Sequence, residues 1–163
     1  MKQSAGETIR LLSQKTEELK KLDAKLKVVC IAENWCGDCG NGVPVISMLA
    51  EQVPQWDYRI ASRDEFEHLV EEFYTTAGRK KIPIVLFADE DGDEIIRWVE
   101  RPRNSYEALA ELQAKRLPKE EYIREYKHNP DINVPGVCSF ILDELIDHGA
   151  KAAAMVKILP RKS

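Results

Sequence analysis

Cys36 and Cys39, separated only by Gly37 and Asp38, are the residues of this 163-residue chain whose types and spacing point most directly to chemistry. Two thiols at this spacing can exchange electrons with a disulfide, or they can form half of a zinc site. A closed zinc site needs two more ligands. The sequence has no second close Cys or Cys/His pair, and His68, His128 and His148 are scattered. Thiol–disulfide exchange is therefore the preferred reading, and no metal is expected. Cys30 and Cys138 stand alone and read as small buried hydrophobes. Four cysteines so placed do not make a framework of structural disulfides.

The elements on either side give the pair its setting. Val28-Val29-Cys30-Ile31-Ala32 is an apolar run of strand length, predicted to be buried on both faces. It leads through Glu33-Asn34-Trp35 into the cysteines. Val43, Ile46, Met48, Leu49 and Val53 then predict a helix interrupted at Pro44. A strand that runs into Cys-x-x-Cys and opens a helix puts Cys36 at a helix N-terminus, where free N–H groups and the helix dipole favour thiolate. Cys39, one turn along, is within reach of a mixed disulfide on Cys36. Gly37 leaves room for a substrate backbone, and Trp35 supplies an aromatic wall. Asp38 is expected to be an ionised carboxylate that partly offsets the dipole.

The rest of the chain predicts an α/β fold. An amphipathic helix is expected at 8–20, and a second strand at Tyr58–Ala61. Ser62-Arg63-Asp64-Glu65 has capping-box spacing, and Phe66, Leu69, Val70 and Phe73 follow at i, i+3, i+4, i+7, predicting an amphipathic helix. Ile82–Ala88, opened by Pro83, and Ile95–Val99 form a hairpin around Asp89–Asp93. A helix over Ser105–Lys115 comes next. The order α-β-α-β-α-β-β-α implies a central mixed sheet. Further helical segments surround Tyr122, Ile123 and Tyr126 and cover Cys138–Leu159, with Gly149 as a candidate break. The expected organisation is a domain over 1–117, with its core at 27–115, and a C-terminal helical extension over 118–163 packed on it. Trp56 and Trp98 read as packing residues.

Trp35-Cys36-Gly37-Asp38-Cys39 resembles the active-site pentapeptide of the thioredoxin superfamily, with Asp38 where a proline is usual. Pro44 falls where that family kinks its active-site helix, and Ile82-Pro83 is similar to its cis-proline loop. The resemblance implies a thioredoxin-like three-layer sandwich. It also implies a cis Ile82–Pro83 bond packed against the cysteines, with the backbone there offered to extended substrates. With Arg101-Pro102 after the hairpin, the wording is most similar to a bacterial and archaeal branch of thioredoxin-like proteins. One position departs from the pattern: Cys30 stands where the superfamily commonly carries a buried aspartate that helps deprotonate the resolving thiol. Asp38, Glu33 or water is left to take that role.

The function that follows is thiol–disulfide oxidation and reduction, with Cys36 attacking and Cys39 resolving. The expected partners are disulfide-containing protein substrates and an electron-donating reductase. The redox-active Cys36–Cys39 disulfide would serve in place of any other cofactor. The alternative is a binding module or slow redox sensor on the same fold, whose thiols are not used in turnover. A net charge of −4 with 32% charged residues of both signs argues against nucleic acid as a partner. The longest apolar runs are strand-sized, so no membrane association is expected. The polar stretch at 1–21 lacks the apolar core of a signal peptide, so a cytoplasmic location is expected.

Overall fold

The computed structural model describes residues 5–159. In chain order it contains α1 (Ala5–Lys20), β1 (Leu26–Ala32), α2 (Gly37–Gln52), β2 (Trp56–Ser62), α3 (Glu67–Phe73), β3 (Ile84–Ala88), β4 (Glu94–Val99), α4 (Arg103–Ala114), α5 (Lys119–His128) and α6 (Val134–Ile158). The strands form one sheet in the order β2-β1-β3-β4. β1 pairs parallel to β2 and antiparallel to β3, and β3 pairs antiparallel to β4. This is the mixed sheet expected of an α/β thioredoxin-like fold.

Side chains alternate across a strand, and neighbours on β4 show the two faces. Trp98 meets Glu144 of α6, whereas Arg97 reaches the Phe73 carbonyl at the end of α3 (3.0 Å). α1, α2 and α6 pack together on the first face, and α3, whose last residue Arg97 reaches, lies on the second. Val28, Cys30, Val85 and Phe87 fill the space beneath the three helices. Trp56 stands edge-on to Phe87, with ring centroids 5.4 Å apart.

Several local expectations are corrected. α2 continues through Pro44, and α6 continues through Gly149. A Cβ at Gly149 would lie 2.5 Å from Cζ2 of Trp56, so the missing side chain admits the indole against the helix. Close packing there outweighs the weak helix propensity of glycine. Pro83 lies outside the strand, which begins at Ile84. The Ser62 hydroxyl accepts the Glu65 N–H (3.2 Å), but it also donates to Glu33, which ties it to the end of β1. The resulting turn delays the helix to Glu67. α3 is then only seven residues long and buries Val70 alone, leaving Phe66, Leu69 and Phe73 exposed.

Beyond residue 117, α6 contributes Ile141, Leu145, Ile146, Ala152 and Ala153 to the main core. Ala108 and Leu112 of α4 form a separate small cluster with Ile132, against which Tyr122 packs. Among the described residues, no helix is long and apolar enough to cross a membrane.

Candidate active site

Cys36 is the N-cap of α2. Its backbone is extended (φ −88°, ψ 119°), and its Sγ accepts the Cys39 N–H at 3.4 Å, in the place a serine or aspartate oxygen takes in ordinary caps. The sulfur therefore sits where the helix presents free donors and its positive end. The Cys36 N–H bonds the Glu33 carbonyl (3.3 Å), and the Cys36 thiol reaches the Ile82 carbonyl (3.5 Å). Cys36 is partly exposed and Cys39 is buried, and both are free thiols. Burial pushes the Cys39 thiol up to about 12; its contact with the Glu33 backbone opposes this, and the adjacent Cys36 thiol reinforces it. The pair is thus asymmetric: an outer sulfur at the helix mouth and an inner one held as a thiol.

The Ile82–Pro83 peptide is cis, and Pro83 is fully buried. A Cβ on Gly42 would stand 2.8 Å from the Pro83 ring, so α2 and this turn approach as closely as glycine allows. The Pro83 carbonyl accepts the N–H of Glu100 (2.7 Å), whose φ of 61° is unusual outside glycine. The Glu100 carboxylate bonds Lys81 and Tyr106. Burial would raise its pKa, but those two partners, with help from Arg101, hold it below the usual value.

Trp35 is 58% exposed beside the cysteines. Its indole N–H reaches Asp64 (3.4 Å), and the Arg63 guanidinium lies 4.6 Å from its ring centroid. A Cβ at Gly37 would meet nothing within 4 Å, so the space over the helix start is open.

Asp38 is not the free carboxylate expected from the sequence. Arg101 binds it through Nε (2.9 Å) and Nη2 (2.7 Å). Glu33 is also engaged, accepting from the Ser62 hydroxyl and the Asp64 N–H (2.9 Å). Beneath the pair, burial pushes the Cys30 thiol up to about 12; the nearby Tyr58 hydroxyl, which itself contacts Ser47 at 3.1 Å, partly opposes this. Neither carboxylate considered as a replacement for the missing buried acid is therefore unoccupied. Cys138, expected to be buried, is only partly so.

The structure adds Arg101, Glu100, Lys81 and Tyr106 to the surroundings of the predicted residues. Arg101 was visible only as part of the Arg101-Pro102 dipeptide, and its partner lies 63 positions earlier. Among the described residues, no group of three or more His, Cys, Asp or Glu side chains converges as a metal site would.

Comparisons with known proteins bear on the fold and the family. No curated protein matches the chain. A crystal structure of a protein of unknown function from Pseudomonas aeruginosa is similar at 18% identity and a TM-score of 0.56, covering 92% of this chain and 81% of that one. An HIV epitope scaffold is similar at 20% identity and a TM-score of 0.55, covering 94% and 84%. At these identities the likeness shows the fold alone, and its span necessarily takes in part of the chain beyond residue 117. A family model described as thioredoxin matches residues 2–117, a span that holds the Cys36 helix start, the cis-proline turn and all four strands. The chain belongs to the thioredoxin family.

Proposed function

We propose that this protein is a thiol–disulfide oxidoreductase that reduces protein disulfides by dithiol exchange through Cys36 and Cys39. The observation that carries the reading is the asymmetry of the pair. Cys36 is partly exposed and caps α2 with its sulfur, while Cys39 is buried one turn along with its thiol pushed up to about 12. The Cys36 thiolate attacks one sulfur of a substrate disulfide, forming a mixed disulfide and releasing the first substrate thiolate. Cys39 then loses its proton to base and attacks Cys36 Sγ. The second substrate thiolate leaves, and a Cys36–Cys39 disulfide remains. Two electrons have passed to the substrate, and a reductase linked to NADPH or ferredoxin would supply two more to reduce the Cys36–Cys39 disulfide. Trp35 and the Ile82–Pro83 backbone would border the bound peptide. The Trp-Cys-Gly-Asp-Cys wording supports placement in the bacterial and archaeal branch, and a cytoplasmic site of action fits this chemistry.

Insulin reduction driven by dithiothreitol tests the proposal. Cys36→Ser should abolish activity, and Cys39→Ser should accumulate mixed disulfides. Full activity in Cys36→Ser would refute the assignment. A couple near ~−270 mV supports a reductase, whereas one near ~−120 mV points to an oxidant. A second reading, a slow redox sensor or binding module, is favoured by one observation: Asp38 and Glu33, the two carboxylates considered for deprotonating Cys39, are both engaged. Mixed-disulfide release slower than a thioredoxin control by orders of magnitude would select it.

A further inference from the structure

The three residues between β4 and α4, Glu100 to Pro102, carry two contacts to the redox site. Glu100 donates its N–H to the Pro83 carbonyl (2.7 Å), and Arg101 binds Asp38. A single carboxylate holds both flanks of this segment. Glu144 of α6 accepts the indole N–H of Trp98 through Oε2 (2.6 Å) and the backbone N–H of Arg103 through Oε1 (2.7 Å). Trp98 is buried on β4, and Arg103 opens α4. The N-cap of α4, Pro102, has no side-chain cap of its own. A carboxylate from another helix thus satisfies an otherwise free donor at the positive end of α4. Glu144 also lies outside the span matched by the family model.

We propose that Glu144 is a positioning residue for the redox site: by fixing Trp98 and Arg103 it holds Arg101 on Asp38. The inference rests on Cys36 being the attacking thiol, as proposed above. With Arg101 held in place, the Asp38 charge beside Cys36 is cancelled; with it loose, that charge opposes thiolate formation. The other charged side chains on the elements meeting at Cys36 are largely paired with one another. Lys81 binds Glu100, Arg63 binds Asp64, and Glu33 accepts from Ser62 and the Asp64 N–H. Asp38–Arg101 is the pair among these that sits in the first turn of the helix Cys36 caps, so its loosening exposes a charge two residues from Cys36. The C-terminal helix would on this account set thiol reactivity without touching the substrate.

The test is the pH profile of Cys36 alkylation, resolved from the other cysteines by peptide mass spectrometry. Glu144→Gln should move the midpoint upward by about 0.3–0.5 unit. Arg101→Gln should move it by a similar amount, and the double variant should move it no further than Arg101→Gln alone. Glu107→Gln, which removes only an exposed partner of the Arg103 side chain, should leave the profile unchanged. If Glu144→Gln does not fold, Arg103→Pro carries the test. It deletes the N–H that Glu144 accepts at a helix position where proline is well tolerated, and should shift the midpoint in the same direction. Unchanged midpoints in folded variants would overturn the proposal, as would a Glu144→Gln shift that persists in the Arg101→Gln background. Alkylation needs no turnover, so the expected shifts in a protein that fails to reduce insulin would uphold this inference while refuting the proposed function.

Discussion

Arg101 meets Asp38 through two hydrogen bonds, in the first turn of the helix that Cys36 caps. The two side chains are only 33% and 25% exposed, so the pair is less screened than a surface ion pair. Burial alone would lower the pKa of Arg101, but the hydrogen bonds and charge of Asp38 reverse this and raise it. A unit charge ~7 Å away at an effective dielectric of ~40 is worth ~1.2 kcal/mol, and partial exposure roughly halves that. Asp38→Asn leaves a guanidinium without its carboxylate and should lower the alkylation midpoint of Cys36 by about half a unit. Arg101→Gln should raise it by a similar amount, and the double variant should return close to wild type. Same-direction shifts in the two single variants would contradict the charge account.

Gly42 faces the buried Pro83 ring, which has no flexible end to move aside. Gly42→Ala gains roughly 1 kcal/mol of helix propensity but forces a contact at 2.8 Å, and overpacking of this kind costs about 1–3 kcal/mol. The net result should be a lower urea midpoint and slower mixed-disulfide formation. A more stable Gly42→Ala protein would show that the turn yields easily.

The Cys30 thiol has a folded pKa of about 12 against an ordinary 9.0, with burial the leading cause. Above pH 9 the unfolded chain therefore loses this proton first, which favours unfolding. The stabilising contribution is complete below pH 9 and is lost progressively as pH rises toward 12. Urea midpoints of the reduced protein between pH 8 and 10.5 should fall less steeply in Cys30→Ala. Cys39 and Tyr58, both also pushed up to about 12, should keep some of the slope in the variant. Identical slopes in the two proteins would refute the assignment.

Ending the chain at His128 deletes α6 and uncovers Trp56, Trp98 and the buried face of α2. The shortened protein should bind hydrophobic dyes and lose its cooperative melt. A soluble protein with an unchanged melting temperature would mean that α6 adds nothing to the core.

Much of this molecule was legible in local sequence. The run Val28–Ala32 became the last five residues of a largely buried strand, and Cys36 and Cys39 fell at the start of the following helix, because strand and helix periods are written in adjacent residues. That the sheet is mixed followed from the alternation of strands and helices and the one hairpin, whereas the strand order β2-β1-β3-β4 did not. The dipeptide at 82–83 was marked by its resemblance to the thioredoxin cis-proline loop, although the strand it was expected to open begins only at Ile84.

What the sequence left open were relations between distant side chains. Asp38 reads as a bare negative charge until Arg101, 63 residues later, is folded onto it. Glu144 is one more helix-surface acid until it meets Trp98 and Arg103, 46 and 41 residues before it. Phe66, Leu69 and Phe73 repeat like a buried face, yet the turn held by Ser62 and Glu33 sets a helix too short to bury them. Periodicity records which residues share a face, because the backbone fixes that locally. It does not record which charge a side chain will meet or how much of a face another element covers. Packing decides both, so the amino-acid order placed the two sulfurs, while the tertiary structure determined the charge beside them.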